Sequence, residues 1–143
     1  MHPPLILVAD NDPDVSLLLA DVLRMHGART EVVPDGDAAV QRLMQGDVHL
    51  LVCDLDMPKL DGEGVVRALP RCPSPPPVLV VSGFVDDATL GRLQESPHVR
   101  GVLRKPFDVI EFAQRACATA AAHAGAGDSA AGPRRGERFG DDG

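Results

Sequence analysis

Tryptophan and tyrosine are missing from this chain of 143 residues, and only four phenylalanines are present. Its core must therefore be built from aliphatic side chains. Basic clusters are scarce too, and the formal charge is −7 at pH 7. Non-specific binding to the nucleic-acid backbone needs such clusters and is not expected. An acidic chain more readily meets a protein surface or a metal-bearing ligand. Cysteine is sparse and scattered, at Cys53, Cys72 and Cys117. The lack of any C-x-x-C pair or Cys/His cluster argues against a zinc site. The odd count fits reduced thiols in the cytoplasm, and Cys53, inside an apolar run, reads as a core residue. Long apolar runs are lacking as well. Leu5 to Ala9 is too short for a signal-peptide core and has no basic leader. No stretch is long enough to span a membrane. What remains is an ordinary globular composition, 44% hydrophobic. The length suits one domain with a core of its own.

The apolar residues come in short bursts separated by helical patterns. Leu5 to Ala9 reads as a buried parallel strand. Asp12-Pro13 then opens a helix, with an acid at the cap and proline in the first turn. Val15, Leu18, Leu19, Val22 and Leu23 keep helical spacing until Gly27 stops it. Thr30 to Val33 is a second strand. Asp35 to Gln45 is a second helix with Ala38, Ala39, Leu43 and Met44 inward, ended by Gly46. His49 to Cys53 is the third strand and Glu63 to Leu69 a short third helix. The proline-rich Cys72 to Pro77 is a stiff surface connector. Val78 to Val81 is the fourth strand. Asp86-Asp87 caps a helix running to about Glu95, Val99 to Arg104 contains the fifth strand, and Asp108 to about His123 is an alanine-rich last helix. From Gly125 onward no apolar period remains, and that segment is expected to be disordered. The organisation is thus one folded domain over 4–123 and a disordered tail over 124–143. Arg134, Arg135 and Arg138 in that tail read as a solvated basic cluster. Strand and helix alternate five times, which implies an α/β fold: a parallel sheet with helices on both faces and right-handed crossovers.

The segment Cys53 to Gly62, CDLDMPKLDG, carries the most information. An apolar run ends abruptly on Asp54, and turn signals follow. This puts a carboxylate where a strand opens to water, the edge at which open α/β sheets bind ligands. Asp10-Asn11-Asp12 follows the first apolar run, Ser82-Gly83 the fourth and Lys105-Pro106 the fifth. Acids, a hydroxyl and a lysine at successive strand ends could hold a divalent metal and a phosphoryl group. Each piece also has a plain structural explanation. The three residues from Asp10 could simply cap the first helix, Ser82-Gly83 could be an ordinary turn, and Lys105 a solvated lysine. Asp54 is the hardest to explain away, because an acid ending an apolar run needs a partner.

Together these pieces resemble the receiver domain of two-component response regulators. The matching stretches are ILVADNDPDV (Ile6 to Val15), DLDMPKLDG (Asp54 to Gly62), VVSG (Val80 to Gly83) and LRKPF (Leu103 to Phe107), and the likeness covers roughly residues 4 to 123. The resemblance implies a flavodoxin-like (βα)5 doubly wound sandwich with a five-stranded parallel sheet in the order 2-1-3-4-5. It implies that Asp54 is the phosphoacceptor, that Ser82 donates its hydroxyl to a phosphoryl oxygen, and that Lys105 pairs with another. It implies magnesium held by Asp10, Asn11, Asp54 and the backbone carbonyl of Asp56, and often a cis bond before Pro106. The partners it implies are a sensor histidine kinase or phosphotransfer protein and a downstream protein target. Direct nucleic-acid binding, membrane association and enzymatic turnover are not expected.

Two positions depart from the family pattern. Asn11 stands where a second consecutive acid is usual, which removes a charge from the metal site. Val102 stands three residues before the lysine, where a switch aromatic is usual, so Phe84 is the ring best placed to relocate; otherwise it serves as a half-buried loop anchor. These departures keep a second reading open: a degenerate receiver acting as a phosphorylation-independent interaction module. A third reading takes Asp54-Leu55-Asp56 as the D-x-D of haloacid-dehalogenase-type phosphatases. It fits poorly, since there the nucleophilic strand lies near the N-terminus with a threonine soon after. The residues beyond 124 are too few and too polar for a helix-turn-helix. The expectation is a stand-alone receiver or one excised from a longer regulator or hybrid kinase.

Overall fold

The computed structural model describes residues 2–131. Five strands are present: β1 (Leu5–Ala9), β2 (Arg29–Val33), β3 (Leu50–Asp54), β4 (Val78–Ser82) and β5 (Val99–Arg104). They alternate with α1 (Pro13–Met25), α2 (Gly36–Met44), α3 (Gly62–Ala68), α4 (Asp87–Glu95) and α5 (Val109–Ala131), and a 3-10 turn at Leu69–Arg71 extends α3. All strand pairs are parallel and the sheet order is β2-β1-β3-β4-β5, as the resemblance implies. Register is set by burial: β1, β3 and β4 are buried along their whole length, so their side chains alternate between two cores.

One core joins Leu7, Leu51, Cys53 and Val80 to Ala39 and Leu43 of α2, Val65 and Val66 of α3 and Leu93 of α4. The other joins Ile6, Val8, Val52 and Val81 to Leu19 and Leu23 of α1 and to Phe112, Ala113 and Ala116 of α5. Burial, with the nearby Asp54 and Asp10 charges, pushes the Cys53 thiol well up, consistent with its core role. Met44, expected inward, is 47% exposed, and Leu18, one of the residues keeping helical spacing, is 51% exposed. The inward stripe of α1 runs through Ser16, Leu19, Ala20, Val22 and Leu23, and Leu18, next to Val22 but about 100° from Leu19, lies at its solvent edge.

Every helix begins directly after an aspartate whose carboxylate accepts a backbone N–H of its first turn. These are Asp12, Asp35, Asp61, Asp86 and Asp108. Each satisfies an orphan donor and places charge favourably against the helix dipole. Since each helix follows a strand, these acids surround one edge of the sheet. The chain's acidity is therefore concentrated at the carboxyl ends of the strands.

The last helix differs from the sequence expectation. It continues through residues 125–131 rather than ending near His123, so the tail assigned to 124–143 begins as helix. Alanine has the strongest helix propensity and supplies much of the helix up to residue 124 and three of the seven residues after it, and Gly125 and Gly127 weaken the pattern without ending it. The remainder of that assignment, 132–143 with its arginines and Phe139, lies outside the described residues. Among the described residues no helix is long and apolar enough to cross a membrane.

Candidate functional site

Asp54 is the last residue of β3 and only 5% exposed. Its Oδ1 accepts the Asp56 N–H at 3.1 Å, and its Oδ2 lies 3.5 Å from Lys105 Nζ. Asp10, one residue beyond β1, is 2% exposed. Its Oδ1 accepts the Asp12 N–H at 2.9 Å and its Oδ2 lies 3.5 Å from the same Lys105 Nζ. Lys105 is brought there by its backbone, whose N–H donates to the Ser82 carbonyl at 2.8 Å; the bond to Pro106 is cis. One ammonium thus faces two buried carboxylates from two other strand ends. Burial raises the Asp54 pKa above its ordinary value and the Asp10 charge adds to this, while the Asp56 N–H and Lys105 oppose it.

The loop after β3 is closely folded. Lys59 has φ 69° and the Leu60 N–H donates back to the Pro58 carbonyl at 2.8 Å, a γ-turn. Gly62 then passes under the strand end: a Cβ there would stand 2.5 Å from the Asp54 carbonyl oxygen. Only glycine permits that approach.

Ser82 is fully buried at the end of β4. Its hydroxyl donates to the Phe84 carbonyl and accepts the Phe84 N–H at 3.1 Å. Phe84 itself is 72% exposed rather than half-buried. Beside it a hollow of about 220 Å³ is lined by Asp56, Asp61, Glu63, Asp86 and Thr89. Val102 is partly buried and packs on the core under α2, α3 and α4.

The site residues named from the sequence therefore fall into groups. Asp10, Asp54 and Lys105 meet. Ser82 is adjacent through its carbonyl but its hydroxyl is bound to Phe84. Asn11 and the Asp56 side chain are exposed at the rim. Asp12, the residue after Asn11, is a helix cap. Among the described residues no three His, Cys, Asp or Glu side chains gather to enclose an ion. Yet Asp10 Oδ2 is buried without a hydrogen bond, offset by the Lys105 ammonium at 3.5 Å that it shares with Asp54, and a buried carboxylate oxygen so weakly satisfied is costly. A hard cation between Asp10 and Asp54 would satisfy it, so the residues present fit magnesium. The sequence reading missed the Asp56 N–H as a partner of Asp54. Its signal was available: an aspartate readily accepts from the N–H two residues on, and Asp10 does the same with Asp12.

The chain matches the family model described as the response regulator receiver domain over residues 6–116. It is 34% identical over 114 residues to the transcriptional regulatory protein PrrA of Mycobacterium tuberculosis, which covers 78% of this chain and 48% of PrrA. The chain thus spans about half the length of such relatives. Among solved structures, a CheY-like response regulator receiver domain protein from Methanospirillum hungatei superposes with a TM-score of 0.77 at 14% identity, over 86% of this chain and 98% of that one. At that identity the likeness is one of fold. The receiver domain of a Francisella response regulator gives a TM-score of 0.74 at 25% identity, over 83% and 98% of the two chains.

Proposed function

The chain belongs to the response regulator receiver domain family, and from that membership we propose that it accepts a phosphoryl group on Asp54 and signals through contacts with other proteins. The observation that carries this reading is the Lys105 ammonium, 3.5 Å from both the Asp54 and the Asp10 carboxylates at one buried strand edge. A carboxylate needs little covalent help to take a phosphoryl group; position and charge neutralisation suffice. An Asp54 oxygen attacks the phosphorus of a phosphohistidine. The P–N bond breaks and its electron pair stays on the imidazole nitrogen. Lys105 moves from the carboxylate to a phosphoryl oxygen, and the Asp56 N–H keeps the remaining Asp54 oxygen oriented. Magnesium, when bound by Asp10, Asp54, the Asp56 carbonyl and the Asn11 amide oxygen, supplies the positive charge that lets a dianionic group approach carboxylates. The chain is an acceptor in this scheme, not an enzyme that turns over.

The donor is a sensor histidine kinase or phosphotransfer protein in the cytoplasm, and the target of the phosphorylated form is a protein surface. The net charge of −7 supports a protein partner over nucleic acid for this domain. A second reading rests on the Ser82 hydroxyl, bound to Phe84, together with Asn11: a degenerate receiver that binds partners without phosphorylation. Acetyl phosphate with magnesium, followed by mass spectrometry, separates the two. The phosphoacceptor reading expects one added phosphoryl group, base-labile and absent from Asp54→Ala. An unmodified wild type, or label persisting on Asp54→Ala, overturns it.

A further inference from the structure

Asp54 is held in place through its Oδ1, and the donor is the Asp56 backbone N–H. The orientation of that N–H depends on the loop running from Leu55 to Asp61. This loop carries a backbone at positive φ at Lys59, a conformation that non-glycine residues adopt only when their surroundings impose it. The surroundings that impose it lie on a different element, the start of α2. Two contacts are involved. Lys59 Nζ lies 3.5 Å from Asp35 Oδ2, the side chain that caps α2 through its other oxygen at 2.8 Å from Ala38 N. Next to it, Gly36 is packed against the turn so closely that a Cβ would stand 1.9 Å from the Leu60 carbonyl oxygen.

We propose that Asp35 and Gly36 are positioning residues for the Asp54 carboxylate: they fix the Lys59–Leu60 turn, and through it the Asp56 N–H that orients Asp54. Neither touches the reacting atoms. Gly36 sets how near α2 stands to the turn, and Asp35 ties the turn to the helix by charge. The Ala38 N–H and the Lys59 ammonium hold the Asp35 carboxyl below its usual range, so it stays ionised for this pairing. The Gly36 contact is backbone against backbone and cannot yield by a side-chain rotation. The Lys59 contact is solvent-exposed on the lysine side and contributes less.

The kinetic part of this inference rests on the phosphoacceptor reading; the geometric part does not. Two variants and a control test both. Asp35→Asn keeps the helix cap, since asparagine caps as well as aspartate, and removes the ion pair. Gly36→Ala inserts the colliding methyl group. Leu43→Ala, in the buried face of α2 away from the turn, destabilises the helix without touching the loop. The measurements are the phosphorylation rate with acetyl phosphate and magnesium, and the amide chemical shifts of Asp56 and Leu60. Asp35→Asn should slow phosphorylation about two- to fivefold, the worth of an exposed ion pair, and move both amide resonances while the unfolding midpoint stays near wild type. Gly36→Ala should slow it about tenfold or more, as a backbone displacement at a reacting group does. Leu43→Ala should lower the midpoint, yet leave the rate and the Asp56 amide unchanged below its transition. Unmoved Asp56 resonances in both turn variants, or moved resonances with an unchanged rate, overturn the positioning role. A wild type that takes no phosphoryl group overturns the phosphoacceptor reading itself, and the two failures are thereby told apart.

Discussion

The site has two halves built on different principles. Asp10, Asp54 and Lys105 sit at or just beyond the ends of β1, β3 and β5, and they face one another through the sheet geometry itself. Ser82, at the end of β4, is equally buried, but its hydroxyl is bound in a local turn to the Phe84 backbone. The charged half is preassembled and the hydroxyl half is committed elsewhere. Regular strands fix where a side chain starts, and a loop fixes where a flexible hydroxyl points. On the phosphoacceptor reading, such a site has its charges in place before its hydroxyl is free to hold a phosphoryl group.

The largest effect should come from breaking the charged half. Lys105→Ala removes the cation that, among the described residues, faces both buried carboxylates. Breaking a buried pair costs several kcal/mol, but the lysine side chain is 30% exposed, so a loss of about 2 kcal/mol is expected. Denaturant unfolding at neutral pH measures it. The loss should shrink in acid as Asp54, whose pKa burial raises, protonates, and phosphorylation by acetyl phosphate should slow by more than tenfold. An unchanged midpoint would mean that the three groups do not interact.

The opposite substitution should stabilise. Burial first, and then Asp10, hold the Asp54 pKa above its ordinary 3.8. The folded state therefore binds this proton more readily than the unfolded state does. Stability falls as pH rises from the unfolded value through the raised folded value, and the penalty persists above it. Asp54→Asn removes the penalty. It should raise stability at neutral pH by roughly 1 kcal/mol, with no gain at about pH 3, where both states of the wild type are protonated. A gain independent of pH would point to packing rather than charge.

A third variant sharpens the charged half rather than breaking it. Asn11→Asp returns a carboxylate to the rim beside Asp10. Magnesium sites depend on charged oxygen ligands, so affinity should rise several-fold, to about tenfold, by calorimetric titration. The same variant should be less stable without metal, because a third acid joins two that share one lysine. Equal or weaker binding would remove Asn11 from the ligand set.

The two halves were not equally legible in the sequence. The strand ends were, because an apolar run that stops on Asp54, or just before Asp10, states both position and exposure. Sheet order came with the resemblance, since five alternations alone permit several orders. The direction of the Ser82 hydroxyl was not legible, because it depends on loop dihedrals rather than on residue type. The Asp35–Lys59 pair was hidden for another reason: the partners lie in different loops, joined only once α2 packs on the turn. The end of α5 was not legible because no apolar period remains from Gly125 onward, and a helix that continues there to Ala131 carries no stripe for a period to reveal.

The smallest expected effect lies in the hydroxyl half and is the most particular to this chain. A phosphoryl oxygen on Asp54 is a charged acceptor, and hydrogen bonds to charged acceptors are about twice as strong as those to a carbonyl. Ser82 should therefore exchange the Phe84 carbonyl for the phosphoryl group. That exchange releases two short-range bonds that now hold the loop at Phe84. In a chain with an aromatic three residues before Lys105, a ring could follow the serine inward. Val102 is already packed, partly buried, against the core and has no ring to move. A modification shifts an equilibrium only through contacts that differ between the two states, and here those contacts lie at Ser82 and Phe84. Amide shifts induced by beryllofluoride should centre on Ser82 to Asp87, with the exposed Phe84 ring changing environment and α4 responding at its Asp86 cap. Ser82→Ala should show the same loop resonances already displaced without beryllofluoride. Large shifts spread through Val99 to Arg104 and α5, with Phe84 silent, would place the output on β5 and remove the loop from the account.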